Sequence, residues 1–311
     1  MKKNSIKLKG SWKKNLFIFS FMIYPVLNFI VFFIYINFNS VIISFQTFNY
    51  NLGSDVWCGF RNYIDIIKSS FGALAHPKFT YGIKNSIYLC LWNNFIILPL
   101  SLFSAYLFYK KIPGEKVFRI IFFLPAIISV VVLCMLYSFM FSTNYGPINI
   151  LLKNIGLGGI IPANGWFGDA GTLFLMVLIY GLWTGIGYNV LLVSGAMARI
   201  PYEVIEAGQL DGIGLLKEFW YIVLPLVMPT ISTMFVTGLT LTFNYFLPSQ
   251  LLTNGGPTGE GYTIAYNIID YTLSGKTNMA AAYGWIAALI GIPFVLIGKF
   301  LIEKFVPDTT F

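Results

Sequence analysis

Long apolar runs separated by short polar segments make up most of this chain. A helix needs about 20 apolar residues to cross a bilayer, and six runs reach that length. We therefore predict six transmembrane helices, over residues 16–38, 86–109, 120–141, 171–197, 226–252 and 279–300. The apolar pattern allows the first helix to continue to residue 48. The third run is the clearest, because it contains no charge between Arg119 and Lys153.

One polar stretch interrupts this pattern between the fourth and fifth runs. Residues 201–229, here called the elbow, hold 5 charged side chains in 29 residues. Gly212 and Gly214 are expected to end a first short helix, because glycine adopts the left-handed cap conformation without strain. A second short helix is predicted over residues 215–223, ending before Pro225. Two short helices with a break between them are typical of a docking element rather than of a core.

The composition requires a surface that faces lipid. Charged residues make up 10% of the chain, apolar residues 57%, and the mean hydropathy is +0.74, whereas a soluble domain carries about 25% charged residues. A β-barrel would instead show alternating segments of about ten residues. We predict an all-α polytopic membrane protein with one domain over residues 1–311. Within it, residues 1–15 form a basic N-terminal tail and residues 80–305 form the core.

The distribution of lysine and arginine predicts the orientation. With the N-terminus in the cytoplasm, the inner segments hold 14 of these residues and the outer segments hold 6. The positive-inside rule then places both termini and the elbow in the cytoplasm. The first apolar run is too long for a signal-peptide core, so we interpret it as a retained helix. The net charge of +8 fits this topology better than nucleic-acid binding, because the lysines cluster beside apolar runs.

The sequence offers little chemistry for a catalytic or metal site. His76 is the single histidine, and three cysteines in mostly apolar surroundings indicate no disulfide framework. Residues 270–277 resemble a phosphate-binding loop, but Asp270 stands where that loop needs its first glycine. The apolar runs also lack the ionisable residues that couple a secondary transporter to an ion gradient.

Polar side chains inside the apolar runs are candidates for a translocation path. In lipid such groups must face protein or a water-filled cavity, and hydrogen bonding between helices is the alternative explanation for each of them. The candidates are Asn93, Asn94, Tyr188, Asn189, Asn244, Tyr245 and Gln250. We favour Asn189, Asn244, Tyr245 and Gln250, the last three because the fifth run directly follows the elbow. Gly181 and Gly185 form a GxxxG pair, for which close helix packing is the preferred interpretation.

The elbow carries a recognisable motif. Residues 206–212 read E-A-G-x-x-D-G, followed by Phe219, Ile222, the Leu-Pro pair ending at Pro225, and Pro229. This run resembles the "EAA" loop of binding-protein-dependent ABC importer permeases, in its sugar-family version. Gly208 and Ile213 depart from the family pattern but remain small or apolar. Residues 146–157 and 252–273 are similar to external segments of the same family.

The resemblance implies a function. It implies a permease subunit of an ATP-driven importer in the bacterial cell membrane, with a sugar or oligosaccharide as substrate. The implied ATPase-coupling residues are Glu206, Ala207, Gly208, Asp211 and Gly212. The implied partners are a second homologous permease, an ATPase dimer that binds ATP and Mg²⁺, and an extracellular solute-binding protein. The chain itself would bind no cofactor and catalyse no reaction. Glycerol phosphate or a polyol remains an alternative substrate, and a stand-alone secondary transporter or a membrane enzyme remains an alternative class.

Overall fold

The computed structural model describes residues 12–49, 51–71, 76–304 and 306. Within them the chain forms twelve helices, a two-stranded hairpin and one 3₁₀ turn at Gly158–Ile160. Three of the helices contain a π-helical segment. The helices are α1 (Trp12–Asn28, Phe29–Tyr35 and Ile36–Ser44), α2 (Arg61–Phe71), α3 (Pro77–Trp92, Asn93–Ile97 and Leu98–Tyr109), α4 (Glu115–Ile127), α5 (Val130–Met140), α6 (Pro147–Asn154), α7 (Leu173–Met197), α8 (Tyr202–Leu210), α9 (Leu215–Glu218, Phe219–Val223 and Leu224–Asn244), α10 (Leu247–Thr253), α11 (Ile264–Leu273) and α12 (Thr277–Glu303).

Five helices in the described part of the chain are long and apolar enough to cross a membrane, and a bent pair can supply a sixth span. This confirms the all-α polytopic class. The first span covers Lys14–Ser44, so the helix does continue beyond residue 38 but ends before residue 48, which lies in a strand. The helix begins at Trp12, and residues 1–11 of the predicted tail lie outside the described residues.

The third apolar run is not a straight helix. Helices α4 and α5 meet at an angle of 112°, because Ile128 and Ser129 adopt extended backbone between them. The third predicted span, over residues 120–141, is therefore a bent pair of helices and not a single straight helix. Hydropathy indicates whether a segment is stable in lipid or in water. It carries no information about a change of helix direction inside an apolar run.

The second elbow helix continues into the membrane instead of ending at Pro225. Helix α9 runs without a break over Leu215–Asn244. A π-helical turn precedes Pro225, and within it the Leu224 N–H bonds to the Phe219 carbonyl five residues back. This wider turn accommodates a ring that would clash with the carbonyl four residues back in a regular helix. The prediction of a separate helix over residues 215–223 is wrong for this reason. Pro99 in α3 follows a π-helical turn in the same way.

The far end of the fifth predicted span is also different. Helix α9 ends at Asn244, and Tyr245 takes an extended backbone conformation. The short helix α10 then begins at Leu247, with Pro248 in its first turn. Pro248 has no N–H to donate to the carbonyl of Asn244, so a continuous helix would lose a bond at this point. The span predicted over residues 226–252 therefore ends about two turns early.

Helices α3, α7 and α9 form the core of the protein. Side chains buried at their contacts include Leu98, Val193, Val223 and Val227. Helix α4 passes very close to α7 at Gly187, where an added Cβ atom would lie 1.9 Å from the carbonyl oxygen of Phe122. This contact requires a glycine. The two glycines of the predicted GxxxG pair are less crowded. An added Cβ atom on Gly185 would lie 3.4 Å from Ile97, and one on Gly181 would lie 3.7 Å from the Tyr245 hydroxyl.

A small cap covers the end of the bundle opposite the elbow. Strands β1 (Gln46–Asn49) and β2 (Ser54–Trp57) pair antiparallel and lead into α2. The amide of Asn62 donates to the Ser44 carbonyl at 2.9 Å and to the Gln46 carbonyl at 2.7 Å. These two bonds fix the cap to the end of α1.

Candidate functional site

The first helix of the elbow, α8, presents most of its length to solvent. Glu206 and Ala207 are exposed on it, and Asp211 and Gly212 are exposed directly after it. Glu203 lies in the first turn, where a negative charge is favourable beside the positive end of the helix. Four of the five predicted coupling residues are therefore accessible to a partner.

Gly208 is the fifth predicted coupling residue, and it faces the protein itself. It is buried, and an added Cβ atom would lie 2.6 Å from the Cδ1 atom of Ile222. The small residue lets α8 pack closely on the π-helical turn of α9. Ile222 thus contacts the chain's own elements.

The break between the two elbow helices depends on one glycine rather than two. Gly212 has φ of +70°, a left-handed conformation that costs other residues roughly 1–2 kcal/mol. Gly214 has φ of −73° and is the N-cap residue directly before α9. The prediction that both glycines end the first helix is wrong for Gly214.

A buried ion pair ties the elbow to α3. The Lys110 Nζ atom lies 2.6 Å from Oε1 and 2.7 Å from Oε2 of Glu218, whose side chain is only 3% exposed. The Tyr106 hydroxyl donates to the Leu215 carbonyl at 2.9 Å and lies 3.3 Å from Glu218 Oε1. Sequence reasoning missed this role of Glu218. Its position one turn inside an apolar segment, with Lys110 at the end of another apolar run, is the signal that could have found it.

The surface of the elbow combines acidic and apolar side chains. Leu210 is 85% exposed, and Leu215 and Leu216, which follow it closely in the sequence, are more than half exposed. A cluster of exposed leucines next to two carboxylates, Glu206 and Asp211, is typical of a protein-binding surface. Trp220 and Tyr221 are also exposed, and amphipathic rings of this kind are enriched at membrane interfaces.

Three of the predicted path residues lie on or beside transmembrane helices. Asn189 is half-buried on α7, and Asn244 is exposed at the end of α9, where its amide donates to the Thr240 carbonyl at 3.2 Å. Tyr245 lies in the break between α9 and α10, and its buried hydroxyl has no hydrogen-bond partner among the described residues. Gln250 lies on α10, so its predicted position on the fifth span is wrong. The helix break at Tyr245 is the physical reason.

Sequence reasoning also missed a polar stripe on α9. Thr233, Thr237, Thr240 and Asn244 follow one another at helical spacing and share one face. Each side chain donates to a carbonyl one turn earlier, at 2.7–3.2 Å, and these bonds are exposed. A polar stripe on an exposed face of a membrane helix indicates a water-filled path or a subunit contact. The i, i+4, i+7, i+11 spacing in the sequence is the signal that could have found it.

The glycine-rich turn between α10 and α11 is organised around Glu260. Its carboxylate accepts a hydrogen bond from the Thr258 amide at 2.9 Å and another from the Thr258 hydroxyl. The Asn85 amide of α3 donates to the Glu260 and Tyr262 carbonyls at 2.6 and 2.8 Å. Burial alone would raise the pKa of the Glu260 carboxyl, but these hydrogen bonds to the charged form outweigh burial and lower the pKa.

The chain has sequence relatives among known transport proteins. The maltose/maltodextrin transport system permease protein MalF of Salmonella typhimurium is 30% identical over 200 residues, which are 62% of this chain and 38% of that protein. The protein of the same name from Yersinia pestis is 26% identical over 256 residues, covering 80% of this chain and 47% of that protein. The matched region thus spans less than half the length of either relative.

A solved structure shares the fold. It is a bacterial ABC transporter involved in the import of the acidic polysaccharide alginate, with a TM-score of 0.79, 20% sequence identity, and coverage of 95% of this chain and 98% of that chain. The alginate transporter in complex with an alginate pentasaccharide-bound periplasmic protein matches with the same score and identity over 97% of this chain.

A family model matches the core of the chain, from the π-helical turn of α3 through the elbow and the last span. Its description is "Binding-protein-dependent transport system inner membrane component", and it covers residues 97–310, which is more than half of the sequence. The chain therefore belongs to the family of inner membrane components of binding-protein-dependent transport systems.

Proposed function

We propose that this chain is the permease subunit of an ATP-driven importer for a sugar or oligosaccharide. A separate ATPase dimer would bind ATP and Mg²⁺, a second homologous permease would complete the path, and an extracellular binding protein would deliver the substrate. Family membership supports transport, and the relatives named for maltose and alginate support a carbohydrate substrate.

The observation that carries this proposal is the construction of the elbow. Its exposed face joins carboxylates to leucines, and its second helix is the beginning of α9 rather than a separate element. A displacement of the elbow would therefore be transmitted to the membrane-spanning part of α9 through 30 continuous helical residues. Rigid elements with discrete packed arrangements transmit such movements better than flexible loops.

A movement of the elbow would also reach α3. The buried pair of Lys110 and Glu218 and the bond from Tyr106 to the Leu215 carbonyl join α3 to the start of α9. In the proposed cycle, ATP binding to the ATPase dimer shifts the elbow, α3 and α9 together. The path then alternates between its two accessible states because the ligands bind those states with different affinity.

For the substrate path we propose the polar stripe of α9 together with Asn189, Tyr245 and Gln250. The stripe offers hydroxyl and amide groups, which match the hydroxyl groups of a sugar. Because its side chains are exposed at helical spacing, it can line a water-filled path between this chain and the second permease.

Charge reversal on the elbow tests the coupling. In the reconstituted complex, Glu206→Lys should reduce uptake at least tenfold while the chain still inserts and the ATPase still hydrolyses ATP. Gly212→Val should act in the same direction, because valine is strained at φ of +70°. Glu303→Lys is the matched control, since Glu303 is exposed at the α12 end on the elbow side. Wild-type uptake in both elbow variants would refute the coupling role.

The substrate class needs its own experiment. We expect ATP hydrolysis by the purified complex to be stimulated by the cognate binding protein loaded with an oligosaccharide. Stimulation by glycerol phosphate or a polyol, and not by any sugar, would refute the substrate class without affecting the coupling. Uptake that persists without any ATPase partner would refute the importer itself.

A further inference from the structure

A large apolar cavity opens on the end of the bundle away from the elbow. Its volume is about 640 Å³, and it lies between α2, the first half of α3, the end of α9 and α12. This volume is within the range of small-molecule and cofactor sites. None of the predicted coupling or path residues lines it.

The wall of this cavity is almost entirely apolar, and Cys90 and Tyr283 also contribute to it. Ser70 contributes to the wall, but its hydroxyl is turned away and donates to the Ile66 carbonyl at 2.8 Å. The Thr242 hydroxyl is buried, inaccessible to solvent and without a hydrogen-bond partner among the described residues. A sugar or another polar solute would lose its hydrogen bonds to water here without replacement, at a cost of several kcal/mol. The ligand that fits the wall is therefore apolar.

The length of the cavity matches one leaflet of a bilayer. Its wall follows α12 from Tyr283 to Phe294, which is a rise of about 16 Å at 1.5 Å per residue. Half of a hydrocarbon core about 30 Å thick is about 15 Å. The cavity thus reaches from near the membrane surface to about the midplane.

A positive charge stands at the mouth. Lys84 lines a shallow groove that shares Ser70, Phe71 and Ile83 with the cavity. Its Nζ atom lies 5.9 and 5.6 Å from the ring centres of Tyr81 and Tyr88. Among the described residues, no carboxylate lies within ion-pair distance of Lys84. An exposed cation above an apolar slot complements an anionic headgroup above an acyl chain.

We propose that this cavity binds one acyl chain of an anionic phospholipid, with the lipid phosphate beside Lys84. The site does not depend on the proposed import function, because it rests on the membrane-spanning fold and on the charge at the mouth. The bound lipid would fill the space between α2 and α12 and fix the cap of the bundle against the core.

Photo-labelling of the complete importer complex tests this site. The probe is phosphatidylglycerol with a photoactivatable group on one acyl chain, in vesicles of phosphatidylglycerol and phosphatidylcholine. Labels are expected on the peptides of α3 and α12 that contain residues 83–91 and 283–294. Ala287→Trp fills the slot and should reduce labelling about tenfold. Leu289→Trp, at an exposed position of the same helix, should leave it unchanged.

The headgroup has a separate test that does not alter packing in the cavity. Lys84→Glu should lower the preference for the phosphatidylglycerol probe over the matching phosphatidylcholine probe about fivefold. Lys276→Glu, an exposed lysine at the same end of the bundle, should change it less than twofold. Equal labelling of the Ala287 and Leu289 variants would overturn the acyl-chain site. Protection of the cavity by another protein subunit in the complex would overturn it as well, because the occupant would then be a protein.

Discussion

Breaking the ion pair between Lys110 and Glu218 would perturb the elbow at one defined contact. Lys110→Met removes the cation but keeps an apolar side chain of similar length. The Glu218 carboxylate, 3% exposed, would then lie next to α3 without a counter-charge. We expect the start of α9 to separate from α3, because water can reach the carboxylate only if that contact opens.

The magnitude follows from the burial of the two groups. Removing one partner of a buried pair costs roughly 3–5 kcal/mol. Lys110 keeps 18% exposure, so we expect the lower end, about 3 kcal/mol. Local opening would then be about a hundredfold more frequent, since each 1.4 kcal/mol is a factor of ten. The double variant Lys110→Met with Glu218→Gln leaves no unpaired charge and should recover most of this loss.

Amide hydrogen exchange over residues 215–223 measures the opening directly. The control is Lys299→Met, which breaks a surface ion pair with Glu303. The side chains of both residues are about half exposed. Surface pairs of this spacing contribute about 0.3–0.5 kcal/mol, so exchange near that site should change about twofold. If Lys110→Met accelerates exchange no more than this control, the pair does not fix the elbow to α3.

Three further predictions concern the rest of the fold. Gly187→Ala should cost about 3 kcal/mol and lower the yield of folded chain, because its Cβ atom would meet the backbone of Phe122; Gly284→Ala, with open space around it, should be neutral, and equal yields would contradict the reasoning. Because the folded pKa of Glu260 is lowered, its carboxylate stabilises the turn at neutral pH, and this contribution is lost as the pH falls through the folded pKa. Glu260→Gln should abolish the pH dependence of the amide protection factors over residues 254–262, which are exchange rates corrected for the intrinsic rate at each pH, and an unchanged profile would refute the role. Asn62→Ala leaves two carbonyls without their donor and should cost about 2 kcal/mol, seen as faster proteolysis of the hairpin than in an Asn51→Ala control.

The sequence predicts the spans because hydropathy is a local property. Runs of about 20 apolar residues must lie in lipid, and the fourth and sixth runs match α7 and α12 within a few residues. The bend between α4 and α5 and the end of α9 at Asn244 were not predictable in this way. Both depend on backbone conformation at one or two residues inside an apolar segment, where the hydropathy pattern does not change.

For the elbow, too, the sequence predicted some of the functional residues and not others. The motif residues Glu206, Ala207, Asp211 and Gly212 were identified by type and spacing, and the structure leaves all four exposed. The sequence alone did not show that Glu218 holds the elbow against α3, because its partner Lys110 is distant in sequence. Long-range pairs of this kind become visible only when the fold brings α3 beside α9.

Cross-linking from the elbow tests most directly whether its exposed face binds an ATPase. In a chain with Cys58→Ser, and with Cys90 and Cys134 buried, Ala207→Cys places one accessible thiol on α8. We predict that a short bifunctional reagent joins this cysteine to the ATPase subunit in the membrane, and that ATP changes the yield. Leu273→Cys, exposed on α11 at the opposite end of the bundle, should give no such product. Equal cross-linking from both positions, or none from Ala207→Cys in an actively transporting complex, would contradict the proposed role of the elbow.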